Sequence, residues 1–259
     1  MFRSALVCLS LFACNGDDKG EDSNPTGDDS GTGDDSGTNE TCEPTKVACQ
    51  DELVLDLSLH EEVTEGKVAT TQDGDDFVTT IDASAGGYME AANNPWVYVK
   101  FESDGAVRVD IGDETALTSQ DWDLAAHRFV LRLNGGSSGP SCVGAAPVPS
   151  STYEELKSVP AGVTYHTDDF YTDDCSTMIN DSSGLPGSPQ VVLGPWWEYP
   201  GCVATTGTPF LVQVADGRVL KLVVEEYYSN GEQETCNETG VGGDHSGYYT
   251  IRWAWLPPA

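Results

Sequence analysis

Period-two runs of apolar residues, each broken at a Gly or Asp-Gly turn, constrain this chain more than any other feature. In Ala106–Ile111, Val107, Val109 and Ile111 alternate with Arg108 and Asp110. Near the end of the chain Tyr249, Ile251, Trp253 and Trp255 share one face of Tyr248–Trp255. Successive side chains of a strand point to opposite faces, so such runs build half-buried strands. Ser103-Asp104-Gly105 joins Trp96–Phe101 to Ala106–Ile111, and Asp216-Gly217 joins Phe210–Val214 to Arg218–Tyr228. Both pairs read as hairpins. Leu53–His60 reads as a first strand, and Val63–Asp82 holds one or two more around Asp73-Gly74. Only Ser150–Lys157 reads as a helix: Ser151 with Glu154, or Thr152 with Glu155, would form a capping box, and Pro160 ends it. The pattern predicts an all-β fold of antiparallel sheets packed in one domain, with one short helix.

That domain is expected over residues 42–259. Before it, Met1-Phe2-Arg3 is a short basic start, Ser4–Ala13 is apolar, and Leu11-Phe12-Ala13-Cys14 reads as a lipobox. Residues 1–13 are therefore read as a lipoprotein signal peptide. Cleavage before Cys14 would leave a thiol for diacylglycerol and palmitate-type acylation, which anchors stably when several chains are present. The alternative is an ordinary secretory signal with an incidental cysteine. Residues 14–41 follow as a tether. Gly27–Thr32 reads GDDSGT, Gly33–Thr38 repeats it, and nothing there can build a core. A Ca²⁺-binding repeat would need a regular nonapeptide with an apolar position, which this spacing lacks. Asn15 after Cys14 points the expected location to the bacterial outer membrane, on its surface or periplasmic face.

Charge excludes some partners. Asp and Glu number 43 against 12 Lys and Arg, a formal net charge of -31. Phosphate backbones and anionic lipid surfaces would be repelled, so no nucleic acid partner is expected and membrane contact falls to the Cys14 lipid. Cysteine count adds a constraint. Beyond Cys8 and Cys14 lie Cys42, Cys49, Cys142, Cys175, Cys202 and Cys236, an even set that suggests three disulfides in an exported chain. Cys42 with Cys49 is the expected local pair; the rest is open. No Cys-x-x-Cys occurs, which removes a zinc ribbon, a thioredoxin-type site and covalent c-type heme.

Catalytic signatures are absent. There is no Gly-x-Ser-x-Gly, no Walker loop, no dinucleotide fingerprint and no His-Glu-x-x-His. The chain is read as a binding or structural protein rather than an enzyme. Its histidines are scattered at His60, His127, His166 and His245. His127 sits on an apolar strand face and reads as a satisfied core histidine. His166 and Met178 fall in an irregular Asp-, Ser-, Gly- and Pro-rich region between Ala161 and Pro195. Trp196-Trp197 either lines an apolar pocket or packs in the core.

The stretch from Trp122 to Gly144 is the most distinctive. Read as a single strand as far as Asn134-Gly135-Gly136, it places Ala125, His127, Phe129, Leu131 and Leu133 on one face. Arg128 and Arg132 fall on the other, where they would need carboxylate partners. Trp122-Asp123, His127-Arg128-Phe129 and Arg132-Leu133-Asn134-Gly135-Gly136 resemble the signature segment of the HmuY-like lipoproteins. Ile81-Asp82-Ala83-Ser84, Trp96–Phe101, Val159-Pro160, Trp197-Glu198-Tyr199 and Val214–Arg218 follow the family's order. The resemblance implies an all-β HmuY-like fold and non-covalent binding of heme for heme or iron acquisition, with a host or neighbour heme protein as a partner. Family members hold ferric heme between two axial His or Met side chains, and His166 and Met178 are the candidates that stand near the right places. The chain departs from its heme-binding relatives after Tyr199, where Pro200-Gly201-Cys202 supplies neither His nor Met. The alternative is therefore a non-heme surface module for a protein, glycan or Ca²⁺ ligand.

Overall fold

The computed structural model describes residues 42–84 and 93–258. Residues 1–41, on which the expected signal peptide, Cys14 and the expected tether fall, lie outside the described residues.

Three consecutive buried residues, Val97, Tyr98 and Val99, show how the domain is layered. They belong to β3 (Val97–Glu102), which pairs with β4 (Gly105–Val109) and β5 (Leu124–His127); β5 in turn pairs with β6 (Val130–Leu133). Val97, Val99 and Phe101 face one apolar cluster, while Tyr98, with Trp96 just before the strand, faces another. A strand buried on both faces needs no polar alternation, which explains the unbroken apolar run.

The first cluster is shared with a larger antiparallel sheet. Its order is β1 (Val68–Asp73), β2 (Asp76–Asp82), β12 (Ser246–Trp255), β11 (Val219–Tyr228), β10 (Phe210–Gln213) and β7 (Gly144–Pro147). Phe77, Ile81, Phe210, Leu220, Leu222, Ile251 and Trp253 from this sheet pack with Val99, Phe101, Leu131 and Leu133 from the smaller one. A two-residue pair, β8 (Trp197–Glu198) with β9 (Ala204–Thr205), lies beside them. The second cluster covers the opposite face of the small sheet with Val47, Leu53, Leu59, Leu117, Trp122, Phe170 and Val191. The expected all-β fold of antiparallel sheets is present.

Four local expectations about elements and ion pairs are corrected, and a fifth concerns the disulfides. Leu53–His60 is not a strand; α1 (Gln50–Asp56) occupies its first part. Alternating leucines misled: Leu53 is fully buried but Leu55 is 77% exposed, so they share no buried face. Ser150–Lys157 is not a helix but a run of turns. The Thr152 N–H does donate to Glu155 Oε2 at 2.9 Å, as a capping box requires, yet one turn alone does not propagate. The short helices are α1, α2 (Asp113–Ala116) and α3 (Gln233–Thr239). The stretch after Trp122 is a hairpin, not one strand: Leu124 pairs with Leu133 and His127 with Val130 around Arg128-Phe129. Leu124, Ala126, Leu131 and Leu133 therefore share the face toward the first cluster, and Ala125, His127, Val130 and Arg132 share the other.

The arginines are the fourth. Neither Arg128 nor Arg132 forms an ion pair among the described residues. Arg128 donates to the carbonyls of Ser84 (3.2 Å) and Ser246 (3.1 Å) and to Ser246 Oγ (2.8 Å). Arg132 donates to the Ser138 carbonyl (2.9 Å) and to Tyr98 Oη (2.6 Å). In both, neutral oxygens take the place of carboxylates.

All six expected cysteines are bridged, as Cys42–Cys142, Cys49–Cys175 and Cys202–Cys236. The expected Cys42–Cys49 pair is thus corrected. Both cysteines are used instead to staple the segment before β1 onto distant loops, across sequence separations of 100 and 126 residues.

Candidate functional site

Asp168 fixes the position of the long segment that follows β7. It is fully buried and accepts from the Leu133 N–H (2.9 Å), Ser138 Oγ (2.7 Å) and the Val192 N–H (2.9 Å). Burial pushes its carboxyl above the ordinary range, against the pull of these bonds. Gly136 makes the docking possible. Its φ is +62°, and a Cβ there would stand 2.0 Å from the Asp168 carbonyl oxygen.

Beyond Asp168 the chain doubles back on itself. Tyr171 bridges to Thr177, and Ile179 to Pro189. Cys175, at the turn of this flap, is tied to Cys49 beside α1. The flap and α1 are also clasped by side chains. Tyr171 Oη and Thr177 Oγ1 both donate to Asp56 Oδ2, at 3.0 and 2.6 Å. Burial, then the Asp56 carboxylate, push the Tyr171 hydroxyl well above its ordinary range.

Between flap, α1 and hairpin lies a cleft of about 400 Å³. Leu57 and Ser58 follow α1 on one side; Phe170, Tyr171, Thr177, Ile179 and Pro189 form the flap side; Trp96, His127 and Val130 form the base. Ile179 is 40% exposed at the rim. His127 stacks on Trp96 with ring centroids 5.0 Å apart. Its Nε2 lies 3.1 Å from the Asn94 carbonyl, which only accepts, so Nε2 carries the proton. A mostly apolar hollow with a few convergent polar groups suits a small ligand held without covalent bonds.

The sequence candidates sit elsewhere. His166 is exposed, with its backbone bridged to Ala145 on β7. Met178 is half-buried, and its N–H donates to the Phe170 carbonyl at 2.6 Å. Thr177 and Ile179 line the cleft; Met178 between them does not, and neither does His166. His166 stands four positions before Phe170, at most about 13 Å of extended backbone. His245 is exposed, and Trp196 and Trp197 pack in the first cluster against Tyr227, Tyr249 and Phe129. His127 is the histidine that reaches the cleft. A wider groove of about 810 Å³ is lined by Glu154, Glu225, Glu226, Glu234 and Glu238. Among the described residues no group of three His, Cys, Asp or Glu side chains is placed to hold a metal ion.

Asp56, Trp96 and Tyr171 were missed as site residues in the sequence. The one signal was the pairing of Cys49 with Cys175, which brings their segments together and which spacing alone does not reveal.

A family model described as HmuY protein matches residues 92–239. No curated protein matches the chain. Among solved structures, one described as an HmuY-like heme binding protein from Bacteroides vulgatus aligns at 16% identity. It covers 77% of this chain and 100% of that one, with a TM-score of 0.45. The apo HmuY analog of Tannerella forsythia aligns at 18% identity over 76% of this chain and 100% of its own, with a TM-score of 0.43. A lipoprotein from Bacteroides fragilis aligns at 17% identity over 73% and 95%, with a TM-score of 0.40.

Proposed function

The chain belongs to the HmuY family, and from that premise we propose that it is a binding protein, not an enzyme, that holds heme non-covalently for heme or iron acquisition. In this reading a lipid on Cys14 anchors it to the bacterial outer membrane, and residues 15–41 hold the domain off the bilayer. The cleft is the observation that supports a ligand: apolar walls, a volume of about 400 Å³ and His127 at its base. A cleft of this size would take no more than the apolar edge of a porphyrin, with Trp96, His127, Val130 and Ile179 to hold it, and the Asp56 carboxylate would disfavour its propionates.

Hemin titration tests this. The full chain should give a shifted Soret band that His127→Ala weakens if the heme sits in the cleft. If instead His166→Ala and Met178→Ala remove the band, the iron is held outside the cleft by the pair expected from the sequence. No shifted band at all ends the heme reading. For the anchor, Cys14→Ala should release the protein from the membrane fraction and stop palmitate labelling.

A second reading is favoured by the positions of His166 and Met178 outside the cleft: a non-heme surface module that takes a small apolar ligand there. It predicts thermal stabilisation by such a ligand without any Soret change.

A further inference from the structure

The mouth of the cleft is made of acceptors. Tyr171 and Thr177 each spend their hydroxyl hydrogen on Asp56 Oδ2, so neither has a hydrogen left to donate into the cleft. Asp56 Oδ1 takes neither bond. Asp56 itself is exposed and ends α1, where the helix carbonyls add negative potential and no basic residue stands in the last turn. No Lys or Arg lines the cleft. The chain as a whole, at a formal net charge of -31, deepens the same field.

We propose that the cleft takes a small amphipathic amine, with an apolar ring against Val130, Ile179 and Pro189 and its ammonium group on Asp56 Oδ1. A donor-bearing cationic head complements a carboxylate flanked by two hydroxyls that have no hydrogen left to give, and a carboxylate in its place would be repelled. This rests on the reading that the cleft is a binding site, and not on heme being its ligand.

The test uses the full chain and a charge-reversed pair of probes, tyramine and 4-hydroxyphenylacetate, followed by calorimetry. Tyramine should bind at least about tenfold more tightly than the carboxylate. Asp56→Asn keeps a carbonyl oxygen for the Tyr171 and Thr177 hydroxyls but removes the charge. It should cost tyramine a similar factor while the melting temperature is retained. Equal binding of the two probes, no binding of tyramine, or an unchanged affinity in Asp56→Asn overturns the proposal. Hemin titration is an independent readout. A Soret band without tyramine binding sinks this inference and spares the heme reading; tyramine binding without the band does the reverse.

Discussion

The guanidinium carbon of Arg132 lies 4.5 Å from the centroid of the Trp96 ring, inside the layer that forms the base of the cleft. Arg132 is fully buried, with Trp122 and Tyr98 at 5.3 and 5.6 Å and no partner for its Nε among the described residues. Asp113 and Asp168 are also fully buried and feel its charge without touching it. Such a cation is balanced by ring faces and distant carboxylates together. Arg132→Met should therefore destabilise the domain by about 3–5 kcal/mol, since two buried carboxylates lose their counter-charge. Arg132→Lys should not restore it, because an ammonium cannot reach both Tyr98 Oη and the Ser138 carbonyl as the planar fork does. Urea unfolding measures both. A loss under about 1 kcal/mol for Arg132→Met would show that the guanidinium is dispensable.

Acid should stabilise this protein. Asp113 accepts from the N–H groups of His60 (2.9 Å) and Trp96 (3.0 Å), and Asp123 from that of Phe101 (2.8 Å). Burial outweighs those bonds and pushes both carboxyls up to about 6. A carboxyl raised above its unfolded value holds its proton more tightly in the fold. Its contribution is complete below about pH 3.9 and is lost as pH rises through about 6. Each rise is worth up to about 3 kcal/mol. Asp168 leans the same way; Asp174 and Glu232 lean the other way but lie at the surface, where such effects are small. The unfolding free energy should be larger at pH 4.5 than at pH 7.5, and Asp123→Asn should flatten the difference. A protein more stable at pH 7.5 would contradict the burial argument.

How much of this was legible depended on whether a signal was local. The hairpins about Gly105 and Gly217 and the last strand were readable, because alternation and turn chemistry sit in adjacent residues. The hairpin at Arg128-Phe129 was not, because its turn carries no glycine and the alternation on either side runs on smoothly through it. The leucines of 53–59 imitated a strand because every second position is apolar whether or not it is buried. The cleft was the least legible feature. It is assembled by a disulfide and by Asp56 meeting Tyr171 and Thr177, contacts across more than a hundred residues that leave no periodic trace.

The two long-range bridges should act as one constraint. Cys42–Cys142 and Cys49–Cys175 overlap in the chain, so with either intact the other closes a loop of only about 40 residues. Removing either by serine substitution should cost about 4 kcal/mol. Removing both should cost more than twice the smaller single loss, because the unfolded chain then regains the full separation. Guanidinium unfolding of the single and double variants measures this. Only the loss of Cys49–Cys175 should also weaken ligand binding in the cleft, since that bridge joins its two walls.

Arg128 gives a prediction with an unusual order. It is not glycine, yet its φ is +50°, the left-handed region that costs an L-residue roughly 1 kcal/mol or more. Three guanidinium bonds and the bond from Tyr249 Oη to its carbonyl, at 2.6 Å, hold it there. Arg128→Ala loses the side-chain bonds and keeps the strain. Arg128→Gly loses the same bonds and relieves it. The glycine variant should thus be the more stable of the two by about 1 kcal/mol, although glycine in a strand or helix interior is usually the worse choice. Both should fall below the wild type by about 2 kcal/mol or more, the cost of leaving the Ser84 and Ser246 oxygens without their donor. Thermal and urea unfolding of the pair decide it. If alanine is the better tolerated, the turn is not strained at Arg128, and the guanidinium bonds alone account for the residue.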